Sequence, residues 1–352
     1  MCILNKNNFT NIFFPVILFV SFLLLFGCSE DDDYQLVQQS TFALGTYNQV
    51  TVYAPDEEGQ GIINEVFTRV EEIETIMSSN IENSDISKLN NQAGESTVIL
   101  NPETFHMLQL AKEYNEITEG TFNIGIGALI SLWDIGGDDQ KVPEGSQIDA
   151  ILDHFNMDQL ILNEESYEAK IKDPKMIVDL GGIAKGYAVD EAIRIIKEHG
   201  VDHAIVDFGG DVYVLGDNPD GNEWRIGIST PEVGGSGVMG RLFSSDMSIV
   251  SSGDYERYFI EEGQLYHHIL DPSTGYPADN HLSSVTIISD TALEGDILAT
   301  AVFVMGLEEG LNFVNSLDDI EAILITDHKK VHVTSGVTDL FEIMDEEYIL
   351  SE

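Results

Sequence analysis

Apolar positions along this chain repeat with two periods. Ile62, Ile63, Val66, Phe67, Val70, Ile73 and Met77 recur every three or four residues, which predicts an amphipathic helix over 60–77 with that stripe in a core. Tyr47 to Tyr53 alternates instead, with Val50 and Val52 on one side, and predicts a half-buried strand. Asn101-Pro102-Glu103 reads as the start of a second helix, with Asn101 as N-cap and Pro102 in the first turn. Phe105, Leu108, Ala111 and Tyr114 would face inward, and Gly120 would stop it. Ile177 to Tyr187 reads as strand, glycine turn and helix, the helix running to about His199 and closed by Gly200. Ala204–Phe208 and Trp224–Ile228 read as strands, and Glu321–Thr326 with Lys330–Val333 as a terminal hairpin. Asn83-Ser84-Asp85 reads as a short turn, 136–147 as a surface loop, and 234–240 as a flexible connection.

The densest pattern lies in 245–306. It predicts a strand, a hairpin turning at Glu261-Glu262-Gly263, a tight loop, a further strand and a helix. Asp271-Pro272 and Gly275-Tyr276-Pro277 bracket the loop, and such a rigid loop can hold one side chain or amide in place. Asp296 and Thr300 stand one helical turn apart, so both oxygens share a face. Two hard oxygen donors at that spacing suit Mg²⁺, although an Asp and a Thr so placed are common in helices and alone carry no function. Elsewhere, Leu44-Gly45-Thr46 and the glycine-spaced run 121–133 suggest backbone packed close to something bulky, or simply a glycine-rich core turn. The turn 180–186 could aim amides and Lys185 at phosphate, yet it has neither the Walker spacing nor G-x-G-x-x-G.

The chain has 352 residues, enough for a real core, with 62 acidic residues against 16 basic ones. The acid excess removes the basic footprint that nucleic-acid binding requires. Lys6, the apolar run Ile12–Phe26 and Leu25-Phe26-Gly27-Cys28 read as an export signal over 1–27 ending in a lipobox, with Cys28 lipidated. Residues 28–39 read as an acidic tether and 40–347 as one unit with no internal linker. Cys2 and Cys28 are the only cysteines, so the folded part has neither a disulfide nor a thiol nucleophile. Hairpins and helices together predict an α+β fold of mixed and antiparallel sheet with packed helices.

Several of these segments stand together in one order. They are Leu44-Gly45-Thr46, the run 121–133, Asp179 to Asp190, Gly209-Gly210-Asp211, Ser252-Gly253-Asp254-Tyr255, His268 to Pro277, and Asp296 with Thr300. Over about 40–345 the chain resembles the ApbE family of FAD:protein FMN transferases, whose fold is related to the T-fold. The resemblance implies an exported protein, often a lipoprotein, here on a bacterial membrane facing the periplasm or the cell surface. It implies FAD as substrate, Mg²⁺ as cofactor, and FMN transfer to a Thr or Ser hydroxyl of an acceptor flavoprotein subunit of a membrane redox complex, with AMP released. It implies Mg²⁺ on Asp296, Thr300 and the backbone carbonyl of Gly182. FAD contacts are implied at Leu44, Asn80, Thr121, Phe122, Asn123, Asp179, Lys185, His268 and Ile269. His268 matches the histidine proposed as base, with Lys185 neutralising the diphosphate. Two departures stand out. Asn123 is where the family commonly has Asp, and Asn80 is where many members have Tyr. Without that ring to shield the diphosphate, hydrolysis of FAD to FMN and AMP becomes the main alternative, and non-catalytic FAD binding is a third.

Overall fold

The computed structural model describes residues 34–235 and 237–351. The export signal over 1–27, Cys28 and the acidic run to Asp33 lie outside the described residues. The architecture is α+β and rests on one nine-stranded sheet. Its strands are β1 (Gln35–Ala43), β2 (Thr46–Ala54), β3 (Ala204–Phe208), β4 (Asp211–Leu215), β5 (Met247–Gly253), β6 (Leu282–Ser289), β7 (Glu321–Thr326), β8 (Lys330–Val333) and β9 (Ile349–Leu350). They lie side by side in the order of the chain. Neighbours are antiparallel except β8 and β9, which run parallel.

Three helices cover one face: α1 (Asp56–Met77), α2 (Ala184–Glu198) and α3 (Ala292–Met305). The 60–77 stripe is buried apart from the half-buried Phe67, and Val50 and Val52 meet it from β2. Helix α3 is apolar nearly all round and buried through Ile297, Leu298, Ala299, Ala301, Val302 and Phe303, as a central helix must be. The opposite face is covered from β4 onward by a small sheet of Trp224–Ser229, Val238–Ser244 and Phe341–Ile343. Ile249, Ile288 and Ile323 point to that sheet, while Val250, Ile287 and Leu324 point to the helices. Burial on both faces explains why these central strands are apolar at successive positions.

The structure differs from the sequence reading at several places. β1 starts at Gln35, inside the stretch read as tether. Asp85–Asn91 is a helix rather than a turn, because Ser84 accepts a hydrogen bond from the Ser87 amide and caps it. Gly145–Leu152 is helical, with a capping box between Glu144 and Gln147, so the surface loop is shorter than expected. Val238 already belongs to a strand. Ile177 makes only an isolated bridge to Ile126, and 177–180 forms no strand ahead of α2. The second helix, the strands at 204–208 and 224–229, the hairpin turn at Glu262-Gly263 and the terminal hairpin are found as expected.

Helices α2 and α3 cross at very close range. A Cβ added at Gly186 would lie 2.3 Å from the carbonyl oxygen of Ala292. One turn later, Asp190 accepts the amides of Ala292 (2.8 Å) and Leu293 (3.0 Å) and so caps α3 from a neighbouring helix. Burial pushes that carboxyl up to about 6 against the pull of the two amides. Gly186→Ala is expected to destabilise the fold by about 1–3 kcal/mol, the usual overpacking cost. Urea denaturation checks this; an unchanged midpoint means the helices can separate without loss.

Candidate active site

The turns after β1 and β3, the end of β5 and the start of β6 all open at one end of the sheet. Each brings a polar group to that end. The β1–β2 turn has Leu44 at φ 52° and Gly45 at φ 69°. The amide of Leu44 donates to Glu74 on α1 (2.9 Å), and the carbonyl of Gly45 accepts from Arg257 Nη2 (3.0 Å). The turn after β3 fits closely against it. Gly209 has φ 66°, and a Cβ there would meet Thr46 Oγ1 at 2.2 Å.

Lys185, in the first turn of α2, is held between two buried carboxylates. Its Nζ donates to Asp296 Oδ1 at 2.8 Å and to Asp211 Oδ2 and Oδ1 at 3.0 and 3.2 Å. Asp211 is the first residue of β4 and points to the helix side of the sheet, beneath α3. The other oxygen of Asp296 accepts the amide of Gly186 at 3.1 Å. Burial opposes the charge on Lys185, but the two carboxylates more than offset it and hold its pKa above the ordinary value. Asp211 is pushed well up, first by burial and then by the charge of Asp296, despite the lysine. Glu256 reaches the same cleft. It keeps contact with solvent, yet the surrounding protein pushes its carboxyl up to about 7, with Lys185 and Arg257 pulling the other way.

The Asp–Thr pair is where the helix spacing put it. Asp296 is buried, Thr300 is half-buried, and a Cβ on Gly182 would stand 4.0 Å from Thr300 Oγ1. A carboxylate, a hydroxyl and an adjacent backbone segment form an all-oxygen donor set, the kind a hard divalent cation takes. Two carboxylates facing one lysine leave negative charge that such a cation would balance. Among the described residues no three His, Cys, Asp or Glu side chains cluster as metal ligands, so this set stands on mixed donors.

His268 follows the hairpin Tyr258–Glu261/Gln264–His267. Its amide donates to the carbonyl of Arg257 (3.0 Å), and its Nδ1 is enclosed without a hydrogen-bond partner. Burial, then the positive charge of Arg257, and further that of Lys185, push its pKa down to about 3. The ring is therefore neutral at neutral pH. His267 is turned into the core against Phe303. Its Nε2 lies 3.0 Å from the carbonyl of Ala278, and its Nδ1 accepts the Ile269 amide at 3.3 Å, so both nitrogens serve the loop.

The remaining expected contacts are spread around this end. The Asp179 carboxylate accepts from Ser79 Oγ and from the Gly181 amide (2.8 Å). Asn123 is already used: its Oδ1 accepts the Gly125 amide (2.8 Å) and its Nδ2 donates to the carbonyl of Phe155 (3.0 Å). Thr121 donates to the carbonyl of Thr118 (2.9 Å), Phe122 and Ile269 are buried, and Asn80 is exposed. Asp211, Glu256 and Arg257 were not singled out from the sequence as site residues. The available signal for Asp211 was an acid directly after a double-glycine turn, where the chain must re-enter the sheet.

Together, the fold and this cleft define an α+β scaffold that brings a lysine between two buried acids, an all-oxygen donor pair and a neutral histidine to one end of the large sheet. The family profile described as "ApbE family" matches residues 44–324. An FAD:protein FMN transferase of Klebsiella pneumoniae (strain 342) is 34% identical over 316 residues, covering 90% of this chain and 97% of that protein. One from Treponema pallidum (strain Nichols) is 32% identical, covering 89% of this chain and 90% of that protein. The crystal structure of the ApbE protein of Thermotoga maritima superposes with a TM-score of 0.80 at 30% identity, covering 87% of this chain and 99% of that one. The flavin transferase ApbE of Vibrio cholerae gives 0.78 at 27%, with the same coverage. The chain belongs to the ApbE family.

Lys185→Met should leave Asp211 and Asp296 facing each other without a cation. Removing one partner of a fully buried pair costs roughly 3–5 kcal/mol; Lys185 keeps some access to water, so about 2–3 is expected here. The folded-state pKa of a carboxyl in the bare pair is raised, so stability is present at low pH and is lost as pH rises through that value. Urea denaturation of the variant should therefore show a deficit that grows from pH 5 to pH 8; a pH-independent deficit argues against the paired carboxylates.

Proposed function

We propose that this chain transfers FMN from FAD to a Thr or Ser hydroxyl of an acceptor protein and releases AMP. The observation that carries the reading is the neutral His268, with a partnerless Nδ1, in the same cleft as Lys185 and Arg257. The acceptor hydroxyl oxygen forms a bond to the FMN-side phosphorus. The bond from that phosphorus to the bridging oxygen breaks, and the bridging oxygen leaves with AMP. His268 takes the hydroxyl proton, a role worth about 10²–10⁴-fold. A ring with so low a pKa is a weak base in the free protein. The anionic diphosphate entering beside it opposes the charges that depress it and raises its basicity. Arg257, and Lys185 once a divalent cation offsets its two acids, would place positive charge where the transferring phosphoryl group gathers negative charge.

Asp296, Thr300 and the Gly182 carbonyl are the residues that would hold Mg²⁺. When bound, it would neutralise the diphosphate oxygens that otherwise repel the nucleophile. The chain is read as exported and anchored through a lipid on Cys28, with acceptors among flavin-carrying subunits of membrane redox complexes. A second reading is hydrolysis of FAD to FMN and AMP, favoured by the exposed Asn80, which brings no ring to screen the diphosphate from water.

Mass spectrometry of products from FAD and Mg²⁺, with and without an acceptor protein, separates the two. Covalent FMN on the acceptor supports transfer; FMN and AMP alone support hydrolysis. His268→Ala is expected to lower kcat about 10²–10⁴-fold. Mg²⁺ should raise the Tm of the parent and not that of Asp296→Ala; an equal rise in both removes the metal assignment.

A further inference from the structure

The outer edge of the sheet at β1 is built unlike a resting edge. Edge strands usually carry lysine, proline, a bulge or very short length, which block pairing with another chain. The opposite edge, β9, is only two residues long. β1 is nine residues long, reads QLVQQSTFA without a charge or a proline, and pairs with β2 in unbroken register from Gln35↔Ala54 to Ala43↔Thr46. Among the described residues no backbone bond reaches it from any strand but β2. The face beside this edge is also open. The small sheet covers β4 to β8 and leaves Leu36, Phe42 and Tyr47 with relative exposures of 53, 74 and 59%. In a chain of 62 acidic residues, none lies between 35 and 54, and no basic residue does either.

The strip leads to the chemistry. Phe42 and Tyr47 pair across the strands at the site end, next to the 44–45 turn. That turn is bonded to Arg257, whose carbonyl holds the His268 amide.

We propose that β1 is the docking edge for the acceptor: an extended, uncharged segment of the acceptor polypeptide adds as a further strand and brings its Thr or Ser hydroxyl to the cleft. This rests on the transfer reading above. Backbone pairing supplies affinity, and Phe42 and Tyr47 receive side chains from the added strand. Charge excludes one occupant: the acidic surroundings repel an acidic segment, and the strip itself carries no charge to pair with it.

The test uses the full chain with FAD and Mg²⁺ and three synthetic twelve-residue peptides with a central Thr. One has Val, Gln and Ser flanks, one has Glu flanks, and one is the neutral peptide N-methylated at alternate residues, so it cannot donate to a ladder. The neutral peptide should gain FMN at least about tenfold faster than either of the others, since one lost tier of pairing of about 1.4 kcal/mol is a factor of ten. Phe42→Asp and Gln38→Lys, both at exposed positions, should lower kcat/KM for the neutral peptide by about tenfold while AMP release without peptide stays unchanged. Equal rates for the three peptides, or unaltered transfer in both variants, overturns the proposal. So does a dimer that Phe42→Asp dissociates in sedimentation, which would make the edge a self-interface, or flotation with phosphatidylglycerol vesicles that the same variant abolishes. Absence of AMP under every condition, or AMP release with no peptide modified, instead defeats the transfer reading itself.

Discussion

Lys185 between Asp211 and Asp296 is the contact on which the rest of the site depends. It joins the first turn of α2, the start of β4 and the second turn of α3. One cation facing two buried carboxylates cannot balance them, so the cluster stays short of positive charge. That imbalance holds the lysine protonated and adds to the burial that raises Asp211. Gly186 is required by the same arrangement. Any side chain there would part α2 from α3 and pull the ammonium from its partners.

His268 complements this cluster. Its ring is enclosed and neutral, with Arg257 and Lys185 nearby and no hydrogen-bond partner at Nδ1. The adjacent histidine, with the same side chain, has both nitrogens engaged by the loop backbone. A single residue of offset along an extended chain separates a structural histidine from one that can accept a proton.

Much of this was legible in the sequence because it depends on local spacing. The 60–77 stripe, the Asn101-Pro102 cap, the 204–208 strand and the Asp296–Thr300 turn are set by periodicities that tertiary packing did not override. β1 escaped because its alternation is carried by Gln, Ser and Thr, which give little hydrophobic contrast, and because an acidic run precedes it. The helix at 85–91 escaped because one serine cap decided between turn and helix. The partners of Lys185 could not be read from spacing, since Asp211 and Asp296 lie far from it along the chain. The motif spoke of a lysine aimed at phosphate; the fold shows one already engaged by two acids. Asn123, a departure from the family at the sequence level, proves to brace its own loop through both side-chain atoms.

Because the strands of the large sheet follow the chain in order, its first and last strands are also its two edges. Eight inter-strand steps of about 4.8 Å put Gln35 and Leu350 on the order of 38 Å apart before twist shortens the span. Joining Leu350 back to Gln35, as in a circular permutation, therefore needs a bridge of at least about a dozen extended residues. A reporter fused after β9 sits across the whole sheet from β1 and leaves that border free.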